Sequence, residues 1–194
     1  VNHHHVDWLV LNDDIQESLQ TRSLNSKYLP WCYINQEFIN ISNDINAVVR
    51  DADIVILAMP SAFFKKFLEP LTESLADKIV VSAVKGIIPG DYLTIVEHMN
   101  RYFDVPMERL AVVTGPSHAE EVGQCQLSYL TVASEDVNTA ELVRSVLNND
   151  FFRCSISHDV LGVEAAAIMK NIYALAVGMA VGLRYGDNFL AVLI

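Results

Sequence analysis

Apolar, largely β-branched residues gather along this chain in short unbroken runs: Val6 to Leu11, Ile54 to Met59, Ile79 to Ala83, Leu110 to Thr114 and Tyr129 to Ala133. Runs of that length without alternation predict strands covered on both faces, as in a parallel sheet. Between them, Ser42-Asn43-Asp44 ahead of Ile45-Asn46-Ala47-Val48-Val49 predicts a short helix with a side-chain cap, and Tyr92 to Tyr102 and Thr139 to Leu147 carry helical periodicity. Strands alternating with helices predict an α/β doubly wound fold with a mainly parallel sheet. The strand signal stops near Ser157, and Asp159 to Leu183 predicts one long helix rich in small residues. A domain boundary is expected between Ser155 and His158, dividing the chain into residues 1–156 and 157–194.

With 194 residues, 52% of them hydrophobic, the chain can bury one core plus the start of a second. Its net charge of -11 opposes the approach of any polyanion, which argues against nucleic acid and anionic membrane as partners. A small phosphorylated ligand would need cations placed locally. Cys32, Cys125 and Cys154 show neither paired nor metal-like spacing, so reduced thiols in a cytoplasmic compartment are expected. The longest apolar stretch, Ile172 to Leu183, is about 12 residues against the roughly 20 needed to cross a bilayer, and predicts a buried helix with no membrane insertion. The chain opens without a start methionine or a signal-peptide pattern and looks truncated. Val1-Asn2-His3-His4-His5 reads as a turn, and no metal site is expected there.

Two lysines stand where an ordinary solvated lysine is not expected. Lys85 closes the apolar run Ile79 to Val84 and precedes Gly86, and Lys170 interrupts the small-residue helix Gly162-Val163-Glu164-Ala165-Ala166-Ala167-Ile168-Met169. Two such cations suggest a site for an anion and for proton transfer. At spacing four, Ala166, Lys170, Ala174, Gly178 and Gly182 form a stripe that is small everywhere but at the lysine. A lysine in such a stripe should be partly desolvated and usable as an acid or base; the plainer alternative is a stem that packs and an ammonium that reaches solvent. Gly178 and Gly182 fit ordinary close helix packing. Glu164, six residues before Lys170, lies about 240° around the helix from it and fits a cap or a neighbour rather than an ion pair with Lys170.

Ligands of open parallel sheets bind beyond the carboxyl ends of the strands. The runs end there in Pro60-Ser61-Ala62-Phe63, Lys85-Gly86 and Gly115-Pro116-Ser117-His118-Ala119-Glu120. Gly86 and Gly115 permit close backbone approach, and Ser117 sits at a helix start whose free N–H groups favour an anion or carboxamide; plain turn chemistry explains the same tripeptide. His118 fits either a phosphate partner or a histidine at a helix start. His158, Asp159 and His98 form no constellation by spacing, and no nucleophilic triad is visible.

Taken in order, Ser42-Asn43-Asp44-Ile45, Ala52 to Ser61, Val84-Lys85-Gly86-Ile87, Gly115 to Glu121, Gly162-Val163-Glu164 leading to Lys170-Asn171, and Tyr185-Gly186-Asp187-Asn188 resemble the bacterial NAD(P)-dependent glycerol-3-phosphate dehydrogenases. That resemblance covers nearly the whole chain. It implies a Rossmann-type dinucleotide-binding domain over residues 1–156 and the start of an all-helical substrate domain over 157–194. The implied activity is reversible hydride transfer between NAD(P)H and dihydroxyacetone phosphate, giving sn-glycerol 3-phosphate for phospholipid synthesis. By motif, Lys170 is similar to the lysine that exchanges a proton with the substrate oxygen, and Lys85 to the one near both nicotinamide and substrate. Gly115, Ser117 and Asn171 match substrate positions, and Pro60, Phe63 and Ala119 match cofactor positions. An ammonium beside a ketone under reduction stabilises the charge developing on its oxygen.

The family's glycine-rich loop, expected just before Val6, is absent. So are the later aspartate and Arg-Asn pair that hold the substrate phosphate, and the chain alone is expected to be inactive. Ala165-Ala166-Ala167 stands where the family often has glycines, and His118 where it often has an aromatic residue. Asn12-Asp13-Asp14 after the first strand carries no arginine, which favours NAD over NADP. A homodimer is one source of cover for the apolar last helix. Two rival readings are a β-hydroxyacid or sugar-acid dehydrogenase and a non-catalytic interaction fragment.

Overall fold

The computed structural model describes residues 4–193; the Val1–His3 part of the expected N-terminal turn, and Ile194, lie outside them. The chain opens with β1 (Val6–Leu9), α1 (Asp13–Arg22), an antiparallel hairpin of β2 (Leu24–Asn25) and β3 (Leu29–Tyr33), β4 (Ile39–Ser42) and α2 (Ile45–Arg50). A five-stranded sheet follows, built from β5 (Ile54–Leu57), β6 (Ile79–Ser82), β7 (Leu110–Thr114), β8 (Ser128–Ala133) and β9 (Phe152–Ser157) in that spatial order. Between these strands run α3 (Phe64–Leu68), α4 (Ile95–Phe103), α5 (Ala119–Gly123) and α6 (Val137–Leu147), and α7 (Val160–Gly182) and α8 (Asp187–Leu193) complete the chain.

Side chains place the helix starts. Asp44 accepts from the Asn46 and Ala47 amides at the head of α2, as its sequence predicts. Asn12 accepts from Ile15 N at 2.9 Å to open α1, and Thr94 and Glu97 form a reciprocal capping box on α4. The main core lies on one face of the sheet, where Leu57, Val80, Leu110 and Val112 meet Phe64 and Leu68 of α3, Ile95 and Met99 of α4, and Val160 of α7. The other face packs Val81, Ala111 and Val132 under Val143 of α6. Each fully buried side chain of this size contributes about 1.5–3 kcal/mol. Helices on both faces of a mostly parallel sheet bear out the doubly wound α/β expectation.

The differences are local. Strand β8 runs antiparallel to β7, with Val113 opposite Val132 and Thr114 opposite Thr131. The link carries only the five-residue α5, which packs beside Trp31 and Cys32 of β3 rather than running back along the sheet as a crossover helix does. Strands β1 and β4 pair parallel in a sheet of their own, so among the described residues β1 and β5 each keep one edge without a strand partner. Helix α1 has only Ile15 and Leu19 as buried apolar anchors, too sparse a stripe to show as a helical period. Edge strand β9 alternates along Phe152-Arg153-Cys154-Ser155-Ile156-Ser157 instead of forming a run.

The long helix expected over Asp159 to Leu183 is present as α7, but the burial expected for its apolar stretch needs correcting. α7 is continuous for 23 residues, because Lys170 and Asn171 do not break it, and by length and composition it could cross a membrane. Length alone is weak ground for that reading, since Glu164 of the same helix is buried against α4 and Val160 sits in the main core. After its second turn the helix has Ala180 as its one buried residue. Ile172, Leu175, Met179 and Leu183 are exposed, and nothing lies within 4 Å of a Cβ built on Gly178 or Gly182. The close helix packing expected at those glycines is not present among the described residues, which include no layer over this face.

Candidate functional site

Strands β5, β6 and β7 run in one direction in level register, with Leu57 opposite Ser82 and Ser82 opposite Val112. Their carboxyl ends open on a single edge, and the segments found there are Pro60 to Phe63, Lys85-Gly86 and Gly115 to Ser117. The first two touch: Gly86 has φ +108, and a Cβ on it would lie 2.9 Å from Ser61 Oγ. Only glycine lets the Lys85 turn come that close to the turn after β5. At the third, Gly115 has φ +156, and a Cβ there would meet the Tyr129 carbonyl oxygen and lie 3.0 Å from Leu130 Cα. The chain therefore leaves β7 pressed against the backbone of β8. A groove beside it is lined by Pro116, Tyr129, Thr131, Arg153 and Ser155.

Lys170 arrives on α7. The first turns of α7 pack on the core through Val160 and Val163 and on the amino end of α4 through Glu164, and the helix carries Lys170 out to Lys85. Lys85 is held below the ordinary lysine range first by burial, then by the positive charge of Lys170, then by hydrogen bonding with Lys170. Both residues remain open to solvent, so the burial is that of a cleft wall rather than a core. The desolvation expected for Lys170 in its small-residue stripe is not what the structure has, because that stripe is largely uncovered. Among the described residues neither lysine pairs with a carboxylate. In a chain of net charge -11, two unneutralised ammonium groups side by side form a local anion site.

The other sequence candidates surround this pair without joining it. Pro60 and Phe63 are exposed at the turn after β5, and Ala119 is exposed as the first residue of α5. Ser117 is half-buried and Asn171 exposed, and among the described residues neither side chain hydrogen-bonds to protein. His118 is the N-cap of α5 but makes no side-chain cap bond. Nδ1 of His158 lies 3.0 Å from the Ser134 carbonyl oxygen, a structural contact. Among the described residues no three His, Cys, Asp or Glu side chains cluster as metal ligands, and the three cysteines are free.

Glu164 serves a neighbour, as its spacing suggests, while a second feature, at His98, escaped the sequence reading. Glu164 is buried and accepts from Val96 N of α4 at 3.4 Å, with Thr94 and Ile95 also hydrogen-bonding to it; burial pushes its carboxyl up and these bonds pull it back. His98, which showed no constellation by spacing, sits in one. Its Nδ1 is 3.2 Å from Asp91 Oδ2, while Lys65 Nζ bonds Asp91 Oδ1 at 2.7 Å. The His98 ring is buried against Phe64, Tyr102 and Phe103, and burial holds its pKa down against the pull of Asp91. Lys65 comes from α3, so no spacing within α4 could have revealed the cluster.

Comparison with known proteins places this arrangement. A family model described as the NAD-dependent glycerol-3-phosphate dehydrogenase N-terminus matches residues 1–140, and one for the C-terminus of the same proteins matches residues 159–194. A glycerol-3-phosphate dehydrogenase [NAD(P)+] of Prosthecochloris aestuarii is 36% identical over 189 residues, 96% of this chain and 56% of the relative. The crystal structure of glycerol-3-phosphate dehydrogenase from Coxiella burnetii superposes with a TM-score of 0.82 at 26% identity, over 97% of this chain and 57% of that one. The glycerol-3-phosphate dehydrogenase of Plasmodium falciparum, at 20% identity and a TM-score of 0.88 over 97% of this chain and 53% of that one, shares the fold. The chain spans about half the length of the curated relatives it matches.

Proposed function

The chain belongs to the NAD-dependent glycerol-3-phosphate dehydrogenase family, and on that footing we propose that it is the cofactor half and the catalytic-lysine helix of an oxidoreductase interconverting dihydroxyacetone phosphate and sn-glycerol 3-phosphate. The observation that carries this reading is the meeting of Lys85 and Lys170, from strand and helix segments 85 residues apart in sequence, at the open carboxyl edge of the sheet. Residues 1–156 form the dinucleotide domain and 157–194 begin the helical substrate domain. A further parallel strand between the unpaired edges of β1 and β5 would join the two sheets.

The residues present fit a dinucleotide. The turn after β5 and the start of α5 leave Pro60, the Phe63 ring and Ala119 uncovered on the edge where such ligands lie in open α/β sheets. These residues would hold it together with Lys85. When bound, NAD(P) supplies the hydride. NAD is favoured, because Asp13 and Asp14 are exposed just past β1 and would suit a ribose hydroxyl better than a 2′-phosphate.

The work of this chain's own residues is electrostatic and protic. As the ketone is reduced, its oxygen gains negative charge, and the Lys170 ammonium stabilises that charge and gives up a proton from Nζ to form the hydroxyl. Lys85 supports the same oxygen with its own ammonium. Gly115 seats the turn after β7 against β8 and so places Ser117, which with Asn171, neither bonded to protein among the described residues, orients the substrate. The enzyme acts in the cytoplasm on a small phosphorylated substrate, supplying a phospholipid precursor; the exposed face of α7 is covered by the rest of the helical domain or by a second copy.

In the full-length protein, Lys170→Ala should lower kcat for dihydroxyacetone phosphate with NADH by about 10² or more. Turnover within a factor of two of the parent would remove Lys170 from the reaction and favour a non-catalytic role, and faster turnover of hydroxyacids than of the phosphorylated ketone would favour the β-hydroxyacid dehydrogenases.

A further inference from the structure

The helix that carries Lys170 is held to the sheet at only one end. Its buried residues are Val160, Glu164 and Ala180, and from Ala165 onward most side chains face open space. Val160 and Val163 give that end apolar grip, but smooth apolar contacts tolerate sliding and rotation. Glu164 is of another kind. Its carboxylate sits on the amino end of α4, accepting from Val96 N at 3.4 Å and from Ile95 N, with the Thr94 hydroxyl also in contact. A hydrogen bond has direction and a fixed length, and a negative group on a helix amino end gains from the helix dipole, so this contact admits one rotation and one height of α7.

The capped end of α4 is also the far end of the segment that begins at Lys85. From Lys85 the chain turns through Gly86, buries Ile88, ties Asp91 to Lys65 and enters α4 at Thr94. Glu164 therefore grips the same short segment that places Lys85, while Lys170 stands six residues along α7, about 9 Å further up the axis. A leucine at this position would pack with less desolvation cost, and a buried carboxylate is the costlier choice unless it fixes geometry.

We propose that Glu164 is a positioning residue: bonded to the amino end of α4, it sets the rotation and height of α7 so that Lys170 meets Lys85. The proposal rests on the reading of the lysine pair given above. It assigns Glu164 no contact with substrate or cofactor.

The test uses the full-length protein with Glu164→Ala, Glu164→Gln, Lys170→Met and, as a control for lost stability alone, Val143→Ala on α6. Thermal unfolding, kcat and KM for ketone and cofactor, and the titration of Lys85 followed by NMR of isotopically methylated lysines are read for each. Glu164→Ala should lower kcat by 10-fold or more, leave KM for the cofactor within 2-fold, and raise the Lys85 titration in the same direction as Lys170→Met. Glu164→Gln, which keeps one acceptor oxygen, should fall between Glu164→Ala and the parent, and serves alone if Glu164→Ala does not fold. The control should lose thermal stability with the Lys85 titration unchanged. If both Glu164 variants lose stability while kcat and the Lys85 titration match the control, the positioning role is overturned and the lysine pair stands. If Lys170→Met itself leaves the Lys85 titration unmoved, the pair reading fails instead.

Discussion

Replacing Gly115 by alanine tests the carboxyl edge of the sheet at its tightest point. A Cβ on this residue would lie 3.0 Å from Leu130 Cα and 3.1 Å from Leu130 Cδ2, and closer still to the Tyr129 carbonyl oxygen. Two of these neighbours are backbone on a paired strand and cannot turn aside as a flexible side chain would. Relief requires the turn after β7 to part from β8 by about 1 Å, at the typical overpacking cost of about 1–3 kcal/mol. The φ of +156° adds about 1–3 kcal/mol, since that backbone region is open essentially to glycine alone. Gly115→Ala should therefore destabilise the full-length protein by about 2–6 kcal/mol in urea unfolding. Because Ser117 is two residues on, KM for the phosphorylated ketone should rise together with the stability loss. A loss under about 1 kcal/mol with KM unchanged would refute the close approach of the two backbones.

Two further outcomes follow from other sites. His98 is held below its ordinary pKa of 6.5 by burial, so between its folded pKa and 6.5 the unfolded chain binds more protons; stability should fall as pH drops through that window, and the thermal midpoints of His98→Phe should flatten there. If the acidic Asp13 and Asp14 face the ribose, kcat/KM of the full-length protein should favour NADH over NADPH, and Asp13→Ala with Asp14→Ala should narrow that ratio; equal use of both cofactors by the parent would count against the placement.

The fold was legible where burial imposes a simple pattern. Central strands β6 and β7, covered on both faces, read as unbroken apolar runs, as does β5 although its Ile56 is exposed, and Asp44 announced α2 by its capping chemistry. Edge strand β9 and hairpin β2–β3 were not legible, because one-sided or very short strands leave alternation or nothing. The reversal of β8 depends on the path of the α5 connection, which hydropathy does not encode. In the site, Lys85 and Lys170 stood out as cations in apolar or small-residue surroundings. That they meet depends on the register of α7 against α4, set by Glu164 across 68 positions of sequence, and the His98, Asp91 and Lys65 cluster likewise joins separate elements.

The account rests on two ammonium groups sharing one cleft, and the titration of Lys85 measures that most directly. Lys85 loses part of its basicity to burial and part to Lys170, so in Lys170→Met its pKa should rise toward 10.5 without reaching it, and inorganic phosphate should raise it in the parent by neutralising the pair. A Lys85 that titrates identically in parent and variant, and ignores phosphate, would contradict the shared site.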